Sequence, residues 1–453
     1  MNDMNLIDKC EKILNKLSRQ QLDHYEVYAL TTKNLDIGME KNSIKDFTES
    51  LDSGYGIRIV KNKRIGFAYS TSFTNEEIDN LIKKVIGFSK IENSDPDFKN
   101  LPFKKEYPKL HKLFDPALKD LDPEIAIDNL NKIANAANIN EKIYSISAGF
   151  SVNIYHDILL NSNNIQGESD HSVLDLYSNI TTKDGNKTGS SFDFQSVRFL
   201  KEIQPEKIGK NAADLALKSL NSKKIKTGRL PVILHPIASS VILGSGIGQA
   251  INGETIQYQQ SYLTDKIGEK LFIKNINIED DGLFIKKNSI PGMGSGNFDA
   301  EGYPTQKTTI FKDGILNSYI HNSYTANKAN IPNTGNASRS GYESPPTISI
   351  NNLVIHSGND GDLLDIIENT KEGIILYYTG DTPNIITGDL SALIHTGFYI
   401  KDGEIVSGIK NTMLGINMLE FFKNIDLIGS EIESVGRIHT PVLKISNIKI
   451  SGQ

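Results

Sequence analysis

Apolar and polar positions repeat with two different periods in the first part of this chain. Residues 5–19 place apolar side chains at helical spacing on one face. The stretches 25–47 and 54–70 instead carry the β-favouring residues of strands, with a turn near residues 61–63. Thr74 and the glutamate three residues after it form a capping box before a second amphipathic helix. We therefore expect an α+β domain over residues 1–95.

A second block follows a Lys-, Asp- and Pro-rich segment that has no periodicity. Asp122, with a proline and a glutamate directly after it, predicts the start of a helix. Strand patterns continue to about residue 182, and 204–220 predicts a long helix. These elements indicate a middle α+β domain over residues 115–222.

Strands separated by glycines dominate the rest of the chain, so residues 228–453 are expected to form a β-rich domain. Asp-Gly pairs between β-favouring runs predict hairpin turns, and such pairs occur within Lys183–Gly185, Lys312–Gly314 and Lys401–Gly403. One of the few helices is expected over residues 413–423. The predicted fold class is α+β, an N-terminal α/β region of two sub-blocks followed by a large β-rich C-terminal domain.

Composition narrows the class of protein. The chain has 453 residues, of which 38% are hydrophobic and 23% charged, with a net charge of -6. This balance is typical of a globular protein, and the acidic excess argues against a nucleic-acid partner. No apolar run approaches the ~20 residues that span a bilayer, and the N-terminus does not resemble a signal peptide. With a single cysteine, Cys10, a cytoplasmic protein without membrane contact is expected.

Zinc peptidases hold their metal with histidines placed close together on a helix. The nine histidines of this chain include no two that lie three, four or five residues apart. A local zinc motif is therefore absent from the sequence. A site assembled from distant histidines stays open as an alternative.

Other short motifs give no clear catalytic signal. Ser245 and Ser295 stand between glycines but lack the G-x-S-x-G pattern of a nucleophile elbow, so flexible turns are expected there. The acidic run 279–282 is interpreted as a solvated turn rather than a cation site. A group of tyrosines could line a peptide groove: Tyr258, Tyr262, Tyr303, Tyr319 and Tyr324.

The order of several longer motifs resembles the TldD/PmbA family of peptidase-like proteins. The motifs that carry the resemblance are Gly54–Arg58, Ser261–Gly268, Phe298–Gly302, Ile310–Tyr324, Asn333–Gly335 and Ile448–Gln453. The resemblance covers most of the chain and is densest from Gly228 onward. It implies a C-terminal domain of the TldD/PmbA type.

The metallopeptidase members of that family carry an H-E-x-x-x-H segment, which falls here on residues 244–249. Gly244 and Gln249 occupy the two histidine positions, Ser245 occupies the glutamate position, and Gly248 keeps a family glycine. The family's C-terminal cysteine ligand falls at about Thr440. The resemblance therefore points to the PmbA (TldE) branch, which lacks the metal. These five positions are then expected at a surface facing a partner or a catalytic chamber.

The resemblance implies a non-catalytic subunit of a heterodimeric metallopeptidase that degrades or processes unfolded peptides. In that case the TldD-type partner holds the zinc, and this chain binds no cofactor and has no catalytic residue of its own. Whether the chain is itself an enzyme stays open. One alternative is a self-sufficient metallopeptidase using His235, His321, His395 or His439. Another is a regulatory protein-binding module similar to the gyrase modulators of the family.

Overall fold

The first half of the chain is organised by one antiparallel sheet. The structure is a computed structural model that describes residues 5–41, 43–272 and 276–452. The sheet has the strand order β3-β2-β1-β4-β5-β6. Its strands are β1 (His24–Glu40), β2 (Ser43–Lys61), β3 (Arg64–Ser70), β4 (Ile143–Asn161), β5 (Gln166–Asp184) and β6 (Lys187–Val197).

Helices cover one face of this sheet, as the alternation of side chains along β1 and β4 requires. Most odd positions of β1, from Val27 to Met39, and most even positions of β4, from Ile146 to Leu160, are buried in two apolar cores under the helices. Two helices cover each half of that face: α1 (Leu6–Leu17) and α2 (Asn75–Ile91), then α3 (Pro123–Ala137) and α4 (Pro205–Ser219).

The opposite face of the sheet carries the even positions of β1 and the odd positions of β4. Tyr28 on β1, Asp157 on β4 and His171 on β5 lie there, and the rest of the chain packs over them. The outer part of β2, residues 43–52, extends beyond β3 and is exposed along its whole length.

Two sheets and a two-stranded ribbon, β11-β12, form the C-terminal region. One sheet has the strand order β10-β9-β8-β13-β21-β20. The other has the order β15-β18-β22-β7-β14-β16-β17, and β19 also pairs with β22. The strands are β7 (Gly228–Leu234), β8 (Ile278–Asp281), β9 (Lys307–Lys312), β10 (Ile315–Leu316), β11 (Ala337–Ser338), β12 (Thr347–Ile348), β13 (Leu353–Ile355), β14 (Glu372–Tyr378), β15 (Asp389–Leu393), β16 (Thr396–Lys401), β17 (Glu404–Gly408), β18 (Met413–Asn417), β19 (Ile425–Ile428), β20 (Glu433–Val435), β21 (Ile438–Thr440) and β22 (Leu443–Ser451).

Short helices close this region around a large apolar core, which includes Phe272, Phe311 and Phe422, and a smaller core around Phe398. The rings of Phe272 and Phe422 stack with their centroids 4.4 Å apart. The helices are α5 (Pro236–Gly246), α6 (Gly253–Gln257), α7 (Ser323–Ala329), α8 (Leu363–Glu368) and α9 (Met418–Lys423).

The mixed α and β architecture confirms the predicted fold class, and several local signals are confirmed with it. Thr74 caps α2 by accepting a hydrogen bond from the N–H of Glu77, and Asp122 caps α3. Only this half of the predicted capping box forms, because the side chain of Glu77 accepts from the hydroxyl of Ser70 instead. The predicted turn at Lys401–Gly403 joins β16 to β17, with φ of 50° at Asp402 and 81° at Gly403. Positive φ at both residues is the backbone geometry that makes Asp-Gly favourable in tight hairpins.

Two local interpretations within the C-terminal sheets are wrong. Residues 413–423 are not one helix, because Met413–Asn417 pairs as β18 between β15 and β22 before α9 begins. The acidic run is not a solvated turn, because Asp280 lies on β8 and is fully buried. Its carboxylate accepts hydrogen bonds from the side chain of Asn336 and the N–H of Asn351.

The predicted domain boundaries stay predictions, but the first two blocks share a sheet. Strand β1 of the first block pairs with β4 of the second over its whole middle part. Residues 1–4 and Asn42 of the first predicted block lie outside the described residues. So does Gln453, which ends the third block and the closing motif.

Candidate functional site

The segment matched to the family's metal motif lies at the C-terminal end of α5. Gly244 and Ser245 are half-buried in the last turn of the helix, so the expected flexible turn at Ser245 is wrong. Gly248 is buried and Gln249 is exposed just beyond it. The N–H of Gly248 bonds to the carbonyl of Leu243 at 3.2 Å, which widens the final turn to a π-type closure.

Thr440 lies on β21, the strand against which α5 packs. A Cβ atom on Gly244 would lie 3.4 Å from the side chain of Ile438 on the same strand. Thr440 is fully buried, and its hydroxyl donates to the carbonyl of Pro441 at 2.9 Å. The fold therefore brings the helix and the strand together, although they are far apart in sequence.

The residues at this junction do not fit a zinc ion. Gly244 offers no donor atom, and hydroxyl and amide groups replace the imidazole, carboxylate and thiolate of the family motif. Zinc sites in proteins are built from imidazole, thiolate and carboxylate groups. In the described part of the chain, no group of three or more His, Cys, Asp or Glu side chains could hold a metal ion.

The histidines of the alternative site lie in separate surroundings, each with its own contact. Burial lowers the pKa of three of them, to about 4 for His235 and His321 and to about 3 for His439. They are therefore neutral at pH 7. The contacts are His235 with the ring of Tyr377 (4.5 Å), His321 with Thr325 (3.1 Å), His395 with the N–H of Gly380 (3.3 Å) and His439 with Ser434 (2.8 Å) and Asn352 (3.1 Å).

A cavity of about 420 Å³ separates the free face of the first sheet from the C-terminal region. Strands β1, β4 and β5 form one wall, and the loop 293–300 forms much of the other. The segments 337–341 and 349–351 close its sides. Its surface combines aromatic rings with charged groups, a combination that suits a small peptide segment.

Two arginines at this cavity have no carboxylate partner among the described residues. Arg198 is 1% exposed and donates only to backbone carbonyls, including those of Leu113 and Gly292. Arg437 is exposed and donates one hydrogen bond, to the carbonyl of Ile350 at 3.3 Å. Their positive charges are therefore left uncompensated by direct ion pairs.

His171 and Asp157 face the cavity from adjacent strands, with Nδ1 and Oδ1 3.6 Å apart. The ring of Tyr155 stacks on His171, directly across the two strands, with centroids 4.7 Å apart. Burial raises the pKa of Asp157 to about 7, and burial, with the charges of Arg198 and Arg437, lowers that of His171 to about 3.

A buried network of four charged side chains joins the two walls beside the cavity. Arg58 donates to Glu26 at 2.8 Å and to Glu301 at 3.1 Å. Arg339 donates to the second oxygen of Glu26 and lies over the ring of Tyr28, 4.8 Å from its centroid. The network therefore links the C-terminal region directly to the first sheet.

Comparison with known protein families decides the relationship. Residues 25–87 match the PmbA/TldA metallopeptidase domain 1, residues 116–220 match the central domain, and residues 227–452 match the C-terminal domain. The chain belongs to the PmbA/TldD metallopeptidase family. The resemblance inferred from sequence motifs is thereby confirmed.

Relatives within the PmbA/TldD family match the chain over nearly its full length. An uncharacterized protein of Methanocaldococcus jannaschii is 30% identical, covering 95% of this chain and 97% of its own. Buchnera aphidicola from Acyrthosiphon pisum has two relatives. Its metalloprotease TldD homolog is 27% identical, with 97% and 95% covered, and its metalloprotease PmbA homolog is 26% identical, with 99% and 98% covered.

Solved structures show the same fold. TldE from Thermococcus kodakarensis superposes with a TM-score of 0.87 at 23% identity, covering 98% of this chain and 100% of that one. A putative modulator of DNA gyrase from Bacteroides thetaiotaomicron gives a TM-score of 0.88 at 22% identity, with both chains fully covered. Among the described residues, no helix is both long and apolar enough to cross a membrane.

Sequence reasoning missed the cavity and most of its residues. The five tyrosines singled out as possible groove residues do not line it; Tyr28, Tyr155 and Phe298 supply its aromatic surface instead. The sequence did contain a signal for Tyr28 and Tyr155. Each alternates with the apolar core positions of its strand and must therefore face the opposite side of the sheet. Arg198 and Arg437 gave no local signal, since only the tertiary fold brings them to one cavity.

Proposed function

We propose that this chain is the metal-free subunit of a heterodimeric metallopeptidase of the PmbA/TldD family, acting in the cytoplasm on unfolded peptides. A TldD-type partner subunit supplies the zinc. The observation that carries the proposal is the replacement of every family ligand at the junction of α5 and β21. Gly244, Ser245, Gln249 and Thr440 leave the scaffold of a metal site without its donors.

Two glycines that follow α5 support a preserved scaffold. A Cβ atom on Gly248 would lie 2.4 Å from the carbonyl oxygen of Gly244, and one on Gly253 would lie 2.3 Å from the ring of His321. Both distances are shorter than any normal contact, so only glycine fits without displacement of the backbone or ring. The local geometry is thus maintained although the ligands are gone.

The pair of relatives in one organism supports the heterodimer. Buchnera aphidicola has both a metalloprotease TldD homolog and a metalloprotease PmbA homolog, and this chain matches them about equally well. A division of labour between a zinc-bearing and a metal-free chain explains why two copies of one fold are kept. In that arrangement this chain forms part of the wall around the peptide.

Coexpression with a TldD-type protein from the same organism tests the proposal. We expect a heterodimer on size-exclusion chromatography, one zinc in the partner, none in this chain by elemental analysis, and cleavage of casein only by the complex. A matched control replaces the first histidine of the partner's zinc motif, which should abolish cleavage while the heterodimer persists. One firmly held zinc per isolated chain, together with peptidase activity of that chain, would refute the proposal.

A protein-binding regulator is the second candidate, because the Bacteroides relative is named a putative modulator of DNA gyrase. Affinity capture with the intact chain separates the two functions. Recovery of a TldD-type metallopeptidase supports the first, whereas stoichiometric recovery of gyrase subunits with no peptidase supports the second.

A further inference from the structure

Two arginines and a histidine face one region of the 420 Å³ cavity. Arg198 follows β6, Arg437 lies in the turn between β20 and β21, and His171 lies on β5. All three line the cavity. Their convergence is produced by the packing of the C-terminal region on the first sheet.

The donors of these groups are used unequally. Each terminal nitrogen and the Nε of Arg198 donate to a carbonyl, so this side chain fixes the loop 292–295 and has little capacity left for a ligand. Arg437 has one hydrogen bond, from Nη1 to the carbonyl of Ile350. Its Nε and Nη2 have no protein acceptor within the described residues. Arg437 therefore presents free donors to the cavity.

The pKa shifts at the cavity indicate that its positive charges lack a nearby negative partner. Burial and the charge of Arg437 lower the pKa of Arg198 to about 10. Although part of Arg437 reaches solvent, the protein that surrounds the rest of its side chain lowers its pKa, and the nearby carboxyl of Asp280 opposes this only in part. Both arginines in turn help to lower the pKa of His171. An anion at this point would relieve all three effects.

A carboxylate matches the site better than a doubly charged anion does. The guanidinium of Arg437 can bind the two oxygens of a planar carboxylate side by side. The carboxyl groups of Asp157 and Asp299 also line the cavity, and the negative charge they carry repels a dianion more strongly than a singly charged carboxylate. The rings of Tyr28, Tyr155 and Phe298 offer an apolar surface for the side chain next to the carboxylate.

We propose that this cavity binds the terminal carboxylate of a peptide, with Arg437 as its direct partner and Arg198 supplying fixed positive charge behind it. The inference rests on the proposed peptide-handling function and names the ligand group that this chain receives. It assigns the chain a role in positioning peptides, in addition to its role as a structural partner.

Calorimetric titration of the full chain without its partner tests the inference. The probe is the N-acetylated dipeptide acetyl-Ala-Phe as the free acid, compared with its C-terminal amide, sodium acetate and inorganic phosphate. We expect the free acid to bind about tenfold to a hundredfold more tightly than the amide, the range of one charge-assisted hydrogen-bonded contact. Acetate, which lacks the apolar part, should bind more weakly than the free acid.

The variants separate Arg437 from general charge. Arg437→Ala should weaken binding of the free acid by about tenfold or more and leave the amide unchanged. Arg437→Lys keeps the charge but not the paired donors, so its affinity should lie between those of Arg437→Ala and the parent chain. The matched control is Arg229→Ala, because Arg229 is also exposed and donates one hydrogen bond to a carbonyl, that of Asn447, away from the cavity.

Equal binding of acid and amide, unchanged binding by both Arg437 variants, or the absence of any binding would overturn the inference. Phosphate binding as tight as that of the free acid would overturn the assignment to a carboxylate. Because the titration uses no partner subunit, failure of the heterodimer experiment would leave this result standing. Failure here would equally leave the metal-free subunit proposal intact.

Discussion

Arg58 on strand β2 and Glu301 in the C-terminal region form an ion pair, with Nη1 and Oε1 3.1 Å apart, and both side chains are almost completely buried. The bond crosses between the two walls that enclose the cavity. Through Glu26, Arg58 is also linked to Arg339. The pair therefore belongs to a network of two glutamates and two arginines.

Removing Glu301 should destabilise the protein strongly. Glu301→Ala leaves Arg58 with one carboxylate instead of two, and the N–H of Ser323 also loses its acceptor. Breaking a buried ion pair from one side costs about 3–5 kcal/mol, measured as the free energy of unfolding in urea. Asp184→Ala, which removes the exposed pair with Lys142, is the control and should have no measurable effect. A small effect of Glu301→Ala would show that the network does not hold the two walls together.

The stability contributed by Glu26 should depend on pH in the acid range. Burial alone would raise the pKa of Glu26, but the guanidinium groups of Arg58 and Arg339 hold it below its usual value. A group with a depressed folded pKa stabilises the protein above the unfolded pKa of about 4.3, and this contribution is lost as pH falls through the folded value. The difference in unfolding free energy between the parent and Glu26→Gln should be constant from pH 7 to about 4.3 and shrink below that. A difference that grows on acidification would contradict the assignment.

Gly248→Ala should destabilise the end of α5. The new methyl group would lie 2.4 Å from the carbonyl oxygen of Gly244 and 3.2 Å from Ile350, so the backbone must shift. Overpacking of this kind costs about 1–3 kcal/mol in unfolding free energy. Gly87→Ala is the matched control, because Gly87 lies inside α2 and a methyl group there meets nothing within 4 Å. That change should instead stabilise the protein by about 0.5–1 kcal/mol.

Metal removal should affect the complex but not the isolated chain. Because the junction of Gly244 and Thr440 lacks imidazole and thiolate donors, EDTA should leave the thermal midpoint of the isolated chain unchanged. The same treatment should abolish peptide cleavage by the complex with a TldD-type subunit, and added zinc should restore it. A chelator-induced fall in the midpoint of the isolated chain would reveal a metal that we do not expect.

Local signals were the predictable part of the fold. Thr74 and Asp122 cap their helices through contacts with residues two or three positions away, and the Asp-Gly pair at 402–403 fixes its own turn. Such interactions depend on short spacings that the sequence shows directly. The types of side chain at residues 244–249 are also read directly from the sequence, but only the resemblance to the family singles out this segment.

Features set by distant partners were not predictable. Residues 413–417 form a strand because β15 and β22 flank them, although the segment runs straight into a helix. Asp280 is buried because the amide groups of Asn336 and Asn351, far along the chain, satisfy its carboxylate. The cavity depends on the same kind of long-range placement, since Arg198 and Arg437 meet only after the C-terminal region docks.

Strand β4 uses its two faces for two purposes, with Ile158 under the helices and Asp157 in the cavity. Loss or gain of a single residue within such a strand exchanges the faces of every residue beyond that point. It would turn an acid into the apolar core and an isoleucine towards the cavity. Insertions and deletions in homologous proteins should therefore be confined to the turns at the ends of this strand, while its length stays constant.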